Sequence, residues 1–217
     1  MTASAGILAR GPWRPEDIEA RWHEEPYAPS PQAVHEADRA VAQLRDRGSP
    51  SHDGLAGRLR GWESSGGKLR LDCEPARWAL RLLPGGAEGS LSALCVVRSV
   101  DGRWLAGRRA PWLATWACRW ALGAAGSVEV DENPAETLVR ELREEWSVTP
   151  ERLSVEALLE LPSGIAMVLG QAWLAEGARV TPDAEHDEFA WWPADPADWP
   201  EQADTPLRRT AELVCAA

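Results

Sequence analysis

Residues 132–146 of this chain read ENPAETLVRELREEW, and their spacing predicts one amphipathic α-helix. Asn133 is a favourable N-terminal cap, Pro134 suits the first helical position, and Glu136 stands where the partner of a capping box belongs. The apolar residues of the stretch recur at helical spacing: Ala135, Leu138, Val139, Leu142 and Trp146. Because such a stripe is stable only when it is covered, we expect this helix to pack against the core.

Three glutamates of this helix, Glu141, Glu144 and Glu145, are spaced so that they project together beside the apolar stripe. Like charges at this spacing destabilise an isolated helix by roughly 0.2–0.5 kcal/mol per pair. Arg140 can reach Glu144 one turn later, but it cannot neutralise all three carboxylates. Two interpretations follow: an ordinary solvated charged face, or a site for a hard cation such as Mg²⁺ or Mn²⁺, which prefers oxygen ligands.

The composition of the chain excludes several classes of protein. Its 217 residues carry a net charge of −11, whereas nucleic acids and anionic membranes attract clustered basic residues. No stretch approaches the ~20 apolar residues of a membrane span, and the first residues lack the pattern of a signal peptide. The four cysteines are too sparse for a disulfide scaffold. We therefore expect a cytoplasmic protein that binds neither nucleic acid nor membrane.

The second part of the chain predicts an α/β domain. Apolar or alternating segments predict strands over residues 68–73, 76–83, 91–100, 103–109, 119–124 and 158–175, the last as a hairpin. A final helix is predicted from Thr205, where a proline follows. Strands around one central helix, with further helices before and after, are typical of a layered α/β fold.

The first part of the chain differs from the rest. Ser30 and Pro31 can begin a helix that Gly48 ends. We therefore expect a mainly helical N-terminal extension over residues 1–66, followed by the α/β domain over residues 67–217. The residues leave open whether this extension caps a site or builds a homodimer.

The longer segment 126–148, GSVEVDENPAETLVRELREEWSV, resembles the signature of the Nudix hydrolase family. That signature is a glycine, five residues, a glutamate, seven residues, and then Arg-Glu-aliphatic-x-Glu-Glu-x-Gly-aliphatic. The matching positions are Gly126, Glu132, Arg140, Glu141, Leu142, Glu144, Glu145 and Val148. Ser147 stands where the family has glycine, and serine can adopt the left-handed turn that ends the helix at modest cost. The five charged positions would coincide by chance in about one window in a million.

The resemblance implies a Nudix-type α/β/α sandwich with a mixed sheet, and it favours the cation site over the solvated face. In the family, the glutamates of the signature and the carbonyl before its glycine bind Mg²⁺, with Mn²⁺ as an alternative. The metal ligands implied here are Glu141, Glu144, Glu145 and the carbonyl of Ala125. Arg140 is expected to brace the glutamates, and Glu132, in the loop before the helix, is expected to join this metal-binding network.

The implied reaction is the hydrolysis of a diphosphate that is joined to another group. Metal ions neutralise charge on the diphosphate, and a water molecule oriented by a carboxylate attacks phosphorus. The residue that acts as general base differs among members of the family. We favour Glu141, and Glu145 and Arg140 complete the predicted catalytic set.

A further metal ligand is predicted in residues 185–191, EHDEFAW. Many Nudix proteins carry a glutamate six residues before a tryptophan in this region, and some use it to bind metal. Glu185 has that spacing to Trp191, and Glu188 is the competing candidate. An acidic surface loop without a ligand is the alternative.

Substrate contacts are predicted just before the signature. Arg108 and Arg109 end a predicted strand, at a position from which family members contact phosphate. Alternation along a strand directs the two side chains to opposite faces, so only one of them is expected to face the substrate. Trp120 is a candidate wall of a pocket for a base or an apolar group.

The sequence therefore predicts a Mg²⁺-dependent hydrolase of a nucleoside diphosphate derivative or a related organic diphosphate. A prenyl diphosphate hydrolase is one alternative, because residues 120–129 resemble the isopentenyl diphosphate isomerase branch of the family. Isomerisation itself is rejected, since those isomerases need a cysteine where this chain has Ala124 and Ala125. A non-catalytic, ligand-sensing Nudix-like domain is the other alternative, although no carboxylate of the signature is lost.

Overall fold

The computed structural model describes residues 6–49, 53–83 and 89–215. The strands are β1 (Gly6–Trp13), β2 (Ile18–Trp22), β3 (Leu55–Ser65), β4 (Lys68–Arg77), β5 (Leu91–Arg98), β6 (Trp104–Arg109), β7 (Trp120–Leu122), β8 (Ala124–Ser127), β9 (Arg152–Glu160), β10 (Ala166–Trp173) and β11 (His186–Trp192). The helices are α1 (Pro31–Asp46), α2 (Pro134–Trp146) and α3 (Thr205–Cys215). None of the described helices has the length and apolar composition needed to cross a membrane.

Eight strands form the main sheet, which is mixed as predicted. Its order is β1-β9-β10-β5-β6-β11, with β7 paired to β6 and β8 paired to β5. Strands β5 and β10 run parallel, whereas the other pairs are antiparallel. The almost continuous apolar run of β5 matches its central position, because both faces of a central strand are covered.

Helices cover both faces of this sheet. Along β5, alternate residues such as Cys95 pack in one buried cluster with Leu138 and Leu142 of α2. The intervening residue Val96 packs in a second cluster with Leu207 of α3. Two helices on opposite faces of a mixed sheet confirm the α/β fold class.

The expectation of a mainly helical N-terminal region is wrong. Helix α1 is present, and Ser30 caps it by accepting a hydrogen bond from the Ala33 N–H. The rest of this region forms strands: β1 joins the edge of the main sheet beside β9, while β2, β4 and β3 form a separate three-stranded sheet. Strand β1 contains Gly11 and Pro12, and β3 contains Gly57 and Gly61, which are residues that normally indicate turns.

The predicted boundary after residue 66 lies in the turn between β3 and β4, which pair along their whole length. Leu69 and Leu71 of β4 belong to the same buried cluster as Leu138 of α2. The three-stranded sheet is therefore packed into the core that α2 shares with the main sheet.

Two local predictions also differ from the structure. Residues 76–83, predicted as a strand, end β4 and then form a 3₁₀ helix over Trp78–Leu82. The segment that contains EHDEFAW, interpreted as a loop, is largely strand β11, which pairs with β6. Residues 76–83 are few, and periodicity alone does not distinguish a short buried helix from a strand. Strand β11 is formed by pairing with β6, a segment far away in sequence.

Gly123 connects β7 to β8, and the surrounding backbone leaves no space for a side chain at this position. Its φ is +58°, and an added Cβ would lie 1.8 Å from the Cys95 carbonyl oxygen. Gly66, in the β3–β4 turn, has the same φ of +58° but nothing within 4 Å of an added Cβ. We expect Gly123→Ala to lower the free energy of unfolding by about 3 kcal/mol or more, and Gly66→Ala by about 1 kcal/mol. Denaturant unfolding measures both, and equal losses would contradict the predicted clash.

Candidate active site

Helix α2 begins and ends as its sequence predicts. The Asn133 side chain accepts a hydrogen bond from the Ala135 N–H at 2.9 Å, and the Glu136 carboxylate accepts one from the Asn133 N–H at 3.1 Å. This is a complete capping box. Ser147 ends the helix in the left-handed conformation, with φ 56°, where the family signature has glycine.

Arg140 is the centre of the polar network on α2. Its guanidinium group contacts both carboxylate oxygens of Glu132, at 2.9 and 3.0 Å, and donates to Glu141 at 2.6 Å. It also donates to Glu144 at 3.2 Å and to the Ser127 carbonyl oxygen at 3.0 Å. A planar group with five donors can make all of these contacts at once, which a lysine could not.

Glu132 belongs to the loop before α2 and is held by more than Arg140. Its carboxylate also accepts hydrogen bonds from the Thr137 hydroxyl at 2.7 Å and the Glu129 N–H at 3.0 Å. Burial raises the pKa of Glu132, but the hydrogen bonds from Arg140, Glu129 and Thr137 outweigh burial and hold the pKa below its usual value. Glu132 is therefore a fixed anion that supports Arg140.

Glu141 lies against the backbone of β8. An added Cβ on Gly126 would lie 1.8 Å from Glu141 Oε1, so this carboxylate needs the glycine to occupy its position. Burial raises the pKa of Glu141 to about 7, although the Arg140 charge lowers it. The charges of Glu144 and Glu185 add smaller increases. The repulsion among the glutamates that their spacing predicts therefore contributes to the raised pKa, but burial is the larger cause.

Glu145 is the most deeply buried of the three glutamates, with only 5% of its side chain exposed. Its Oε1 accepts a hydrogen bond from the Ala125 N–H at 3.1 Å. Its Oε2 lies 3.7 Å from His186 Nε2, and neither atom has a hydrogen-bond partner within the described residues. Burial raises the pKa of Glu145 well above its usual value and lowers that of His186. The contact is therefore not an ion pair at neutral pH.

The end of β6 separates the two predicted arginines. Arg109 lies with the buried glutamates: its Nη2 is 3.3 Å from Glu185 Oε2, and its charge acts on Glu145. Its Nε is buried and has no hydrogen-bond partner among the residues described. Arg108 points to the opposite face, where it pairs with Asp187 at 2.8 Å.

The family assignment comes from comparison with known proteins. Residues 90–213, more than half of the chain, match the family model described as the NUDIX domain. The chain belongs to the Nudix hydrolase family. It is a Nudix-type hydrolase, and the conserved-domain match includes the whole signature segment and all of strands β5 to β11. No curated protein matches the chain.

Several solved structures are similar to this Nudix chain. A MutT NUDIX hydrolase from Burkholderia pseudomallei is 23% identical, with a TM-score of 0.45, and the match covers 58% of this chain and 97% of that one. A C. elegans Ap4A hydrolase is 22% identical, with a TM-score of 0.43 and coverage of 58% and 98%. The NUDIX domain of Shewanella oneidensis NrtR, complexed with ADP ribose, is 18% identical, with a TM-score of 0.42 and coverage of 58% and 87%. These similarities are too distant to indicate a substrate.

The Nudix fold brings most of the predicted site residues together. Those that share one polar cluster are Ala125, Glu132, Arg140, Glu141, Glu144, Glu145, Arg109 and Glu185. Glu144 lies at its edge, with 59% of its side chain exposed. Arg108 lies apart, with its second contact to Glu188 at 3.5 Å, and Trp120 packs against Trp192 in the core under α3.

Three residues of the cluster were not predicted. His186 follows Glu185 directly, and its ring stacks on Trp146 at 4.4 Å between centroids. The sequence signal that could have indicated His186 is its position directly after Glu185, a candidate metal ligand. Thr137 and Ser127 contribute a hydroxyl and a carbonyl group, and no sequence pattern distinguishes such groups from ordinary polar residues.

The residues of this cluster fit a hard divalent cation. Within the described part of the chain, no three Asp, Glu, His or Cys side chains form a ready-made metal site. However, Glu145 Oε2 is buried with no hydrogen-bond partner among the residues described, and burial raises the pKa of Glu141 and Glu145. A cation would compensate these carboxylates, and oxygen ligands of this kind suit Mg²⁺ or Mn²⁺.

The raised pKa of Glu141 predicts how stability depends on pH in metal-free buffer. Because its pKa in the folded state, about 7, exceeds the usual 4.5, stability is greatest below pH 4.5 for this group and falls as pH rises through 7. We expect Glu141→Gln to raise the Tm by about 3–8 °C at pH 8 and to have no effect at pH 4. Thermal unfolding measures the difference, with the exposed Glu176→Gln as control; an equal gain at both pH values would contradict the assignment.

Proposed function

We propose that this chain is a Mg²⁺-dependent hydrolase that cleaves the diphosphate linkage of a nucleoside diphosphate derivative or a related organic diphosphate. The observation that carries the proposal is the set of glutamates Glu141, Glu144 and Glu145 on one face of α2. The oxygen Oε2 of Glu145 is buried and has no partner in the described structure. A helix face with this arrangement is costly without a cation and becomes favourable with one.

Mg²⁺ would be held by Glu141, Glu144, Glu145 and the carbonyl of Ala125, with Glu185 as a further ligand from the start of β11. When bound, it supplies positive charge that offsets the negative charge of the diphosphate and of the transition state. Mn²⁺ takes the same oxygen ligands and is expected to substitute. Glu132 supports this set through Arg140, which it contacts through both carboxylate oxygens.

Glu141 is the candidate general base. Its position is fixed by the contact with Arg140 at 2.6 Å and by its close approach to Gly126. Burial raises the pKa of Glu141 to about 7 in the metal-free protein, and a bound cation would favour the ionised form, which can accept a proton from water. Arg140 keeps the charged form of Glu141 accessible despite burial, and this role makes it a positioning residue.

Arg109 is the candidate phosphate ligand. It is half-buried beside Glu185, and its Nε has no hydrogen-bond partner among the described residues. Arg108 and Trp120 lie on the opposite face of the sheet, away from the position proposed for the reacting phosphates. The net charge of −11 also favours a small-molecule substrate over nucleic acid.

The first test is phosphate release, with Mg²⁺, from nucleotide sugars, dinucleotides, damaged nucleotides and prenyl diphosphates. At saturating substrate, Glu144→Gln and Glu145→Gln should reduce kcat by at least about 100-fold, because each removes a charged metal ligand. Neither change should lower the Tm. Glu136→Gln, on the same helix but in the capping box, is the matched control and should retain activity. Unfolding of Glu144→Gln, or no release from any substrate, would contradict the proposal and favour a non-catalytic domain.

The second test distinguishes Glu185, which directly precedes β11, from Glu188, which lies within β11. Glu185 lies beside Arg109 and acts electrostatically on Glu141 and Glu145, whereas Glu188 contacts Arg108 on the other face. Glu185→Gln should raise the Mg²⁺ concentration for half-maximal activity by about 3- to 10-fold, and Glu188→Gln should not change it. Equal, small effects in both variants would mean that Glu185 is an ordinary surface acid.

A further inference from the structure

Residues 127–133, from the end of β8 to the cap of α2, are here called the motif loop. They are contacted at several points by the N-terminal region, which here means the described residues before the Nudix domain match, 6–49 and 53–83. The Gly57 N–H of β3 donates to the Val128 carbonyl at 2.7 Å, and the Trp22 indole N–H of β2 donates to the Glu132 carbonyl at 3.1 Å. The Asn133 side chain donates in return to the Ile18 carbonyl at 2.8 Å. The loop thus joins the two sheets through directional bonds as well as through apolar packing.

The close fit of β2 and β3 on the motif loop depends on a glycine. A Cβ added at Gly57 would lie 3.1 Å from Trp22 Cη2 and 3.2 Å from the Val128 carbonyl oxygen. Both distances are shorter than ordinary contact. Trp22 is therefore fixed between β3 and the motif loop, and its indole N–H is held in place to donate to Glu132.

Arg81 reaches the same loop from the 3₁₀ helix that follows β4. Its guanidinium group donates to the Ser127 hydroxyl and, at 3.1 Å, to the Ser92 hydroxyl. Ser92 and Ser127 face each other across β5 and β8, so Arg81 ties the two strands together where the motif loop starts. Among the described residues no carboxylate contacts Arg81, and its guanidinium group positions the two serine hydroxyl groups.

Two residues of the motif loop that accept these hydrogen bonds, Ser127 and Glu132, also accept hydrogen bonds from Arg140. The Ser127 hydroxyl accepts a hydrogen bond from Arg81, and the Ser127 carbonyl oxygen accepts one from Arg140. The Glu132 carbonyl oxygen accepts a hydrogen bond from Trp22, and the Glu132 carboxylate accepts one from Arg140. Both supports of Arg140 in the motif loop are therefore held from the other side by the N-terminal region.

We propose that the N-terminal region positions the active site, with Trp22 and Arg81 as positioning residues that hold the motif loop for Arg140. This inference rests on the proposed function only for its effect on Mg²⁺ binding. The arrangement of the loop itself is a property of the metal-free protein. Neither residue touches a carboxylate that would bind metal, so their effect must pass through Ser127 and Glu132.

The decisive experiment measures amide hydrogen exchange in the full-length, metal-free protein. Trp22→Phe removes the indole donor, and Arg81→Met removes the guanidinium group while keeping most of the side chain. In both variants the amides of Glu129 and Glu132 should exchange about 2- to 10-fold faster, as the loss of one hydrogen bond implies. The amide of Leu142, in the second half of α2, should not change.

Matched controls on the three-stranded sheet separate positioning from general stability. Trp62→Phe changes an exposed tryptophan of β3, and Arg70→Met removes an arginine that pairs with Glu19 at 2.9 Å. Neither control should alter exchange in the motif loop. Arg81→Lys should restore part of the protection, because a lysine can still donate to Ser127.

Calorimetry with Mg²⁺ alone provides the second readout. Trp22→Phe and Arg81→Met should weaken Mg²⁺ binding about 3- to 10-fold, whereas the controls should bind as the wild type does. Unchanged exchange in the motif loop, equally faster exchange in the loop and at Leu142, or faster exchange with unchanged Mg²⁺ binding would each overturn the inference. A wild type that binds no Mg²⁺ would contradict the proposed function, and the exchange pattern alone would then decide the positioning role.

Discussion

A single guanidinium group, that of Arg140, joins the motif loop to the carboxylates of α2. Without it, Glu132, Glu141 and Glu144 would lie close together as uncompensated anions on a half-buried surface. Arg140 contacts all three carboxylates and holds their oxygen atoms at fixed distances, although its single positive charge offsets only part of their negative charge. The capping box, the close approach of β8 and the packing of the apolar stripe of α2 in one core cluster keep this group in place.

The sequence predicted well what depends on near neighbours in the chain. The start and end of α2, its buried stripe and the reach of Arg140 to Glu144 all follow from spacings of three and four residues. It failed where partners are far apart in sequence. Strand β1 pairs with the distant β9 and β2 with the distant β4, β1 and β3 contain residues that normally indicate turns, and His186 meets Glu145 only because β11 lies beside β6.

Burial explains why the electrostatics of the site could be predicted only in direction. Repulsion among glutamates can be seen in the sequence, and it does raise the pKa of Glu141. The larger cause is removal from water, which depends on which face of α2 is covered. The same distinction separates Arg108 from Arg109: alternation showed that they diverge, but the register of β6 against β11 decides which one meets Glu185. The buried charged residues of this site lower the stability of the fold, as is common for residues that serve a function.

The pairing of β1 with β9 has a consequence for how the chain acquires its shape. Ala9 lies opposite Leu158, so the whole signature segment and β9 must be synthesised before β1 can pair with its partner strand. At roughly 5–20 residues per second, that delay is on the order of 10–30 s. During this time the first strand has no sheet to join, and contacts of such long range form slowly. Assembly of the hydrolase therefore waits for the synthesis of the last third of the chain. In a nascent chain that stalls before residue 152, β1 stays unpaired and accessible to chaperones.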